Sequence, residues 1–129
     1  MRDIQEVKET ALCAGKGIPP FALTPLQISA WPRNMAMKRV IAAETDSPSP
    51  LRELHRRLSK RLARKHRPEG EDRFVPHVTL ARFDRPREFA EIVELDCPAF
   101  LVERYCLMSS ELKRSGAAHR QLEVFPLGN

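Results

Sequence analysis

Apolar positions in residues 3–14 recur as Ile4, Val7, Ala11 and Leu12 with charged side chains between them, the spacing of an amphipathic helix. Gly15 and Gly17 stop that helix, and Pro19 and Pro20 hold the next stretch extended. Residues 21–31 (FALTPLQISAW) suit a strand, with Pro25 marking an edge or a bulge. Pro32, Arg33 and Asn34 make a turn, and residues 36–43 (AMKRVIAA) read as a second strand, paired with the first as a hairpin. Ser49 is a credible N-cap with Pro50 behind it, and Leu51, Leu54, Leu58 and Leu62 then form one apolar stripe at helical spacing. Residues 73–83 (RFVPHVTLARF) read as a strand, 86–95 as a short helix with Phe89, Ile92 and Val93 inward, and 100–108 and 120–126 as two more strands around a turn at 115–118. The order is α-β-β-α-β-α-β-β. Strands come partly as hairpins and partly separated by helices, which predicts an α+β fold with a largely antiparallel sheet.

The length, 129 residues, fits one domain spanning 1–129, with no linker dividing it. Charged residues make up 30% and hydrophobic ones 42%, a globular balance that argues against disorder. No apolar run approaches the roughly 20 residues of a membrane span, and no apolar core follows a basic start, so neither membrane nor secretory signal is expected. Cys13, Cys97 and Cys106 are odd in number and widely spaced, which fits reduced thiols in a cytoplasmic protein, most simply as small buried hydrophobes.

Charge is uneven. Residues 52–67 hold eight Lys and Arg side chains against Glu53 alone, so this segment carries +7 and the rest of the chain −2 within a net charge of +5. Such a segment attracts a polyanion such as RNA, or is simply a solvated helix face; the sequence leaves both open.

The four histidines are His55, His66, His77 and His119. None has H-x-x-x-H or H-E-x-x-H spacing, and none neighbours a Cys in a ligand pattern, so no metal site is expected. His77 lies in Pro76-His77-Val78-Thr79-Leu80. On a strand, period two puts His77 and Thr79 on one face and Val78 and Leu80 on the other. An imidazole that titrates near neutrality beside a hydroxyl that donates to phosphate oxygen suits phosphoryl chemistry. A hydrogen-bonded strand histidine is the plainer alternative.

The string Phe74-Val75-Pro76-His77-Val78-Thr79-Leu80-Ala81-Arg82 resembles the second H-x-T motif of the two-histidine (2H) phosphoesterases, closest to the bacterial branch known as 2′-5′ RNA ligases or RNA 2′,3′-cyclic phosphodiesterases. Phe21 to Thr24, Trp31-Pro32-Arg33, Leu54 to Leu62, Met108 to Leu112 and Leu122 to Leu127 follow in that family's order, so the resemblance covers residues 3–127. It implies a LigT-like, two-lobed α+β fold of antiparallel sheets with flanking helices, in which two H-x-T motifs face each other. One histidine is general base on water, the other general acid toward the leaving ribose oxygen, and the threonines hold the cyclic phosphate. The partner implied is RNA with a 2′,3′-cyclic phosphate or a 2′-5′ linkage, with a 2′-phosphate as product and no cofactor. His77 is the catalytic residue expected here, and Thr79 and Arg82 the phosphate-binding ones. On strict alternation Arg82 faces away from His77, so its contact with phosphate requires a bulge or the strand end.

The family's first H-x-T belongs upstream of the first long helix. Two positions after His55, His66 and His119 stand Arg57, Pro68 and Gln121, so only His77 is followed by Thr. The expectation is a domain without its N-terminal strands and with half of the catalytic apparatus, weakly active or inactive alone. Three readings are open: an N-terminally incomplete chain, a short protein that binds RNA through residues 52–67 without turnover, or an assembly that completes the site with another chain. Missing strands would leave sheet edges exposed to self-association.

Overall fold

The computed structural model describes residues 3–62, 74–89, 92–114 and 116–128. The fold is α+β with antiparallel sheets: α1 (Ile4–Ala14), β1 (Phe21–Leu23), β2 (Pro25–Trp31), β3 (Met37–Thr45), α2 (Ser49–Leu62), β4 (His77–Glu88), β5 (Val93–Glu94), β6 (Phe100–Val102), β7 (Arg104–Lys113) and β8 (Gly116–Pro126). Contacts gather into two units, residues 1–21, 49–67 and 101–129 in one and 22–48 and 68–100 in the other. Among the described residues no helix is long and apolar enough to cross a membrane.

The first unit packs α1, α2 and the β7–β8 hairpin. Asp3 caps α1 by accepting the Gln5 N–H (3.2 Å), and Gly15 closes its other end. Such capping satisfies backbone groups that the helix leaves unpaired at its ends. Ala11 and Ala14 are buried on the inner face of α1 and Leu54 on that of α2, with Leu51, Leu58 and Leu62 half-buried beside it. Small residues on α1 let α2 approach. Arg57 joins the helices: its Nη1 donates to the carbonyls of Ala14 (3.1 Å) and Lys16 (2.8 Å), and its Nε to Glu53 (2.9 Å). Hydrogen bonds from Arg56 and Arg57 hold the Glu53 carboxyl down to about 2, so it stays ionised at neutral pH. The basic continuation at residues 63–67, His66 included, lies outside the described residues. The hairpin runs in register from Arg104–Pro126 to Lys113–Gly116, with one irregularity between Leu107 and Met108. Tyr105 ties it to α1, donating its hydroxyl to the Ala11 carbonyl and stacking on Phe125 at 5.1 Å. Burial pushes the Tyr105 phenol up.

The second unit is a sheet in the order β4-β3-β2-β5, antiparallel throughout. The expected hairpin of β2 and β3 is present, pairing Pro25 with Thr45 through to Trp31 with Val40. Three expectations are corrected. Residues 21–31 form two strands rather than one, broken at Thr24, whose N–H turns to the Asp46 carboxylate (2.8 Å). The described residues of 86–95 are not helical: β4 continues to Glu88 and β5 pairs Val93 with Ile28. Cross-strand pairing with Met37 and Lys38 outweighs the weak helical period there, and Pro86 is tolerated because β4 is an edge strand. Cys13 and Cys97 are exposed and Cys106 half-buried, so the thiols are not core packing.

Candidate active site

The register of β2, β3 and β4 lays one sheet face out as a grid. Its rungs are Gln27–Glu44–His77, Ser29–Ala42–Thr79 and Trp31–Val40–Arg82. The third rung exists because of an irregularity. Between Ile41 and Ala42 on β3, β4 passes from Ala81 to Thr79, which leaves Leu80 as an extra residue. A bulge of this kind inverts the alternation beyond it. Arg82 therefore shares a face with His77 and Thr79, and the strict-alternation expectation is corrected. All three side chains are exposed.

His77 is held from two sides. Its Nδ1 lies 2.8 Å from the Val75 carbonyl oxygen. A carbonyl only accepts, so Nδ1 carries the proton and Nε2 keeps the lone pair in the neutral ring. Trp31 meets the imidazole edge-on, with centroids 4.4 Å apart and planes at 77°. This T-shaped contact is a favoured aromatic geometry, and it limits rotation of the ring.

Glu44, on the His77 rung, is 5% exposed. Its carboxylate accepts the Gln27 side-chain amide (2.6 Å) and forms an ion pair with Arg33. A buried carboxylate is tolerated only when paired in this way. Ser29 Oγ and Trp31 Nε1 are buried without a hydrogen-bond partner among the described residues. Sequence reasoning gives Trp31 no part in the site and passes over Gln27, Ser29 and Glu44. The signal is present in Gln27-x-Ser29-x-Trp31 and Val40-x-Ala42-x-Glu44, two period-two series that coincide once the hairpin register is set.

Of the remaining histidines, His55 and His119 are described, and both belong to the first unit. His119 Nδ1 is 2.8 Å from Ser110 Oγ on the exposed hairpin, and His55 Nε2 is 3.4 Å from Ser59 Oγ one helical turn on. Among the described residues no group of three or more His, Cys, Asp or Glu could hold a metal. Phe74, three residues before His77, is 37% exposed.

This arrangement of imidazole, hydroxyl and guanidinium on one open face belongs to a chain with known relatives. RNA 2′,3′-cyclic phosphodiesterase of Methanothermobacter thermautotrophicus is 27% identical over 135 residues, covering 98% of this chain and 70% of that protein. A solved structure from Thermus thermophilus superposes with a TM-score of 0.75 at 26% identity, over 98% of this chain and 73% of the other. Escherichia coli LigT complexed with 3′-AMP shares the fold, with a TM-score of 0.70 at 23% identity over 100% and 71% of the two chains. The family model of the 2′-5′ RNA ligase superfamily matches residues 3–114, and the chain belongs to that superfamily.

Proposed function

We propose that this chain acts on RNA ending in a 2′,3′-cyclic phosphate, opening it to a 2′-phosphate. His77 transfers a proton, Thr79 donates a hydrogen bond to a phosphate oxygen, and Arg82 offsets the phosphate charge. The observation that carries this reading is the bulge at Leu80, which turns Arg82 onto the face of His77 and Thr79. Water attacks phosphorus, the bond from phosphorus to the ribose 3′ oxygen breaks, and that oxygen leaves with a proton. One group must take the proton of water and another must supply one to the leaving oxygen. With Nδ1 committed to Val75, the Nε2 of His77 is the atom that takes or gives it.

The sequence supplies one H-x-T. Loss of one proton-transfer partner costs roughly 10²–10⁴ in rate, so the isolated chain should turn over weakly or not at all. Ligation and hydrolysis are two directions of one phosphoryl transfer, and hydrolysis is the direction proposed.

The test combines turnover with binding. An RNA oligonucleotide ending in a 2′,3′-cyclic phosphate is incubated with the chain and with His77→Ala. In parallel, the imidazole C–H resonance of His77 is followed by NMR while a nucleoside 2′-monophosphate is added. The expected result is a saturable shift of that resonance, weakened at least tenfold in Thr79→Ala, with any turnover lost in His77→Ala. Turnover unchanged by His77→Ala, or a His77 resonance indifferent to the nucleotide, would overturn the reading.

A further inference from the structure

The grid does not end at Arg82. Beyond Val40–Arg82 the next rung of the same β3 face is Lys38–Arg87. Here β3 advances two residues while β4 advances five, so the extra residues belong to β4 and β3 keeps its alternation. The Arg87 guanidinium lies over the Phe83 ring, 5.5 Å from its centroid. The two rungs are separated by two residues of β3, about 7 Å at the usual strand rise.

Charge is polarised along this face. At one end stand Glu44, Glu94 beside Gln27, and Asp46 just past β3. At the other end stand Arg82, Lys38 and Arg87; no carboxylate pairs with Ala42, Val40 or Lys38, and the extra residues of β4 between Arg82 and Arg87 add one acid, Asp84, and one base, Arg85. Glu88 pairs with Met37, on the opposite face. Lys38 is partly committed, donating to the carbonyls of Pro32 (2.7 Å) and Arg33 (3.3 Å), which leaves the exposed Arg82 and Arg87, the latter over the half-buried Phe83 ring, as the recognition elements. A cation over an aromatic ring on an edge strand suits single-stranded RNA, which offers phosphates to the guanidinium and base faces to stacking.

We propose that the RNA leading to the reacting end lies along β3 and β4 from Thr79 toward Arg87, so that this site takes an oligonucleotide in preference to a mononucleotide. The inference rests on the function proposed for His77 and Thr79, and it adds a track of two rungs with a direction. The strand runs away from Glu94 and Asp46, because a polyanion is repelled from that end.

The test uses ribo-oligonucleotides of one, two, four and six residues, each ending in a 2′-phosphate, titrated against the chain and against Arg87→Ala and Phe83→Leu. Affinity of the parent should rise with length up to about four residues. Arg87→Ala should remove roughly fivefold or more of that gain, with binding of the one-residue ligand unchanged. Phe83→Leu should act in the same direction without removing the cation. An affinity independent of length, or a length gain intact in both variants, would overturn the track. A His77 resonance that shifts with the one-residue ligand while affinity ignores length removes the track and leaves the reacting site. A length gain lost in Arg87→Ala but indifferent to Thr79→Ala supports the track and removes the proposed role of Thr79.

Discussion

Arg57 decides how the basic helix is to be understood at the level of single residues. From charge alone it is one more cation in a segment suited to RNA. In the structure its guanidinium is shared between Glu53, the carbonyl of Ala14 at the end of α1 and that of Lys16 in the turn just past it. The last carbonyls of a helix have no intrahelical partner, and a charged donor satisfies them better than a neutral one. Arg57 is therefore a clasp between helices. Arg57→Ala should destabilise the chain by about 1–2 kcal/mol, measured by urea unfolding at neutral pH. Arg57→Lys should recover only part of this, because an ammonium lacks the fork that reaches both carbonyls and Glu53. Arg52→Ala, an exposed position on the same helix, should stay within about 0.5 kcal/mol of the parent. Equal effects at Arg52 and Arg57 would show that the clasp contributes nothing beyond a surface charge.

At the scale of elements, close approach matters more than local preference. Gly15 ends α1 with an ordinary backbone angle, φ −86°, so its lack of a side chain is not a conformational need. Its role is to make room: a Cβ there would sit 2.8 Å from Cε1 and Cζ of Tyr105. Tyr105 cannot easily yield, since its hydroxyl is bonded to Ala11 and its ring lies on Phe125. Gly15→Ala should then cost about 1–3 kcal/mol by overpacking. Tyr105→Phe should cost about 1 kcal/mol through the lost hydrogen bond. Thermal unfolding of both, with the helical signal followed by circular dichroism, checks the pair. A neutral Gly15→Ala would mean that the hairpin can move off α1. The same principle separates what is legible in the sequence from what is not. The α1 helix, the leucine stripe of α2 and the β2–β3 hairpin are readable because each rests on periodicity within one segment. The helix expected at 86–95 fails because the partners that hold β4 and β5 extended, Met37, Lys38, Gln27 and Ile28, lie far away in sequence. His77 and Thr79 are readable as a pair two apart. Strict alternation puts Arg82 on the wrong face because a one-residue bulge leaves no mark in the pattern of apolar positions.

For the whole molecule, the question is which of two basic regions meets RNA. The net charge of +5 comes from residues 52–67, yet the described part of that segment spends Arg56 and Arg57 on Glu53 and on α1. Arg82 and Arg87 add fewer charges, but they stand on the face of His77. Salt dependence separates these cases, because each phosphate neutralised on a single strand contributes about −0.7 to the slope of log affinity against log salt. Binding of a four-residue RNA with a terminal 2′-phosphate along the β4 track should give a slope between about −1.4 and −2, from two cations with a small contribution at the reacting end. That slope should survive Arg52→Glu combined with Lys60→Glu and Arg61→Glu, with at most a modest loss of affinity from long-range attraction. Arg82→Ala combined with Arg87→Ala should bring it close to zero. A steep slope abolished by the helix substitutions and indifferent to Arg82 and Arg87 would relocate the RNA to α2. It would also favour a chain that binds RNA through residues 52–67 without turnover, in which Arg82 and Arg87 take no part in affinity.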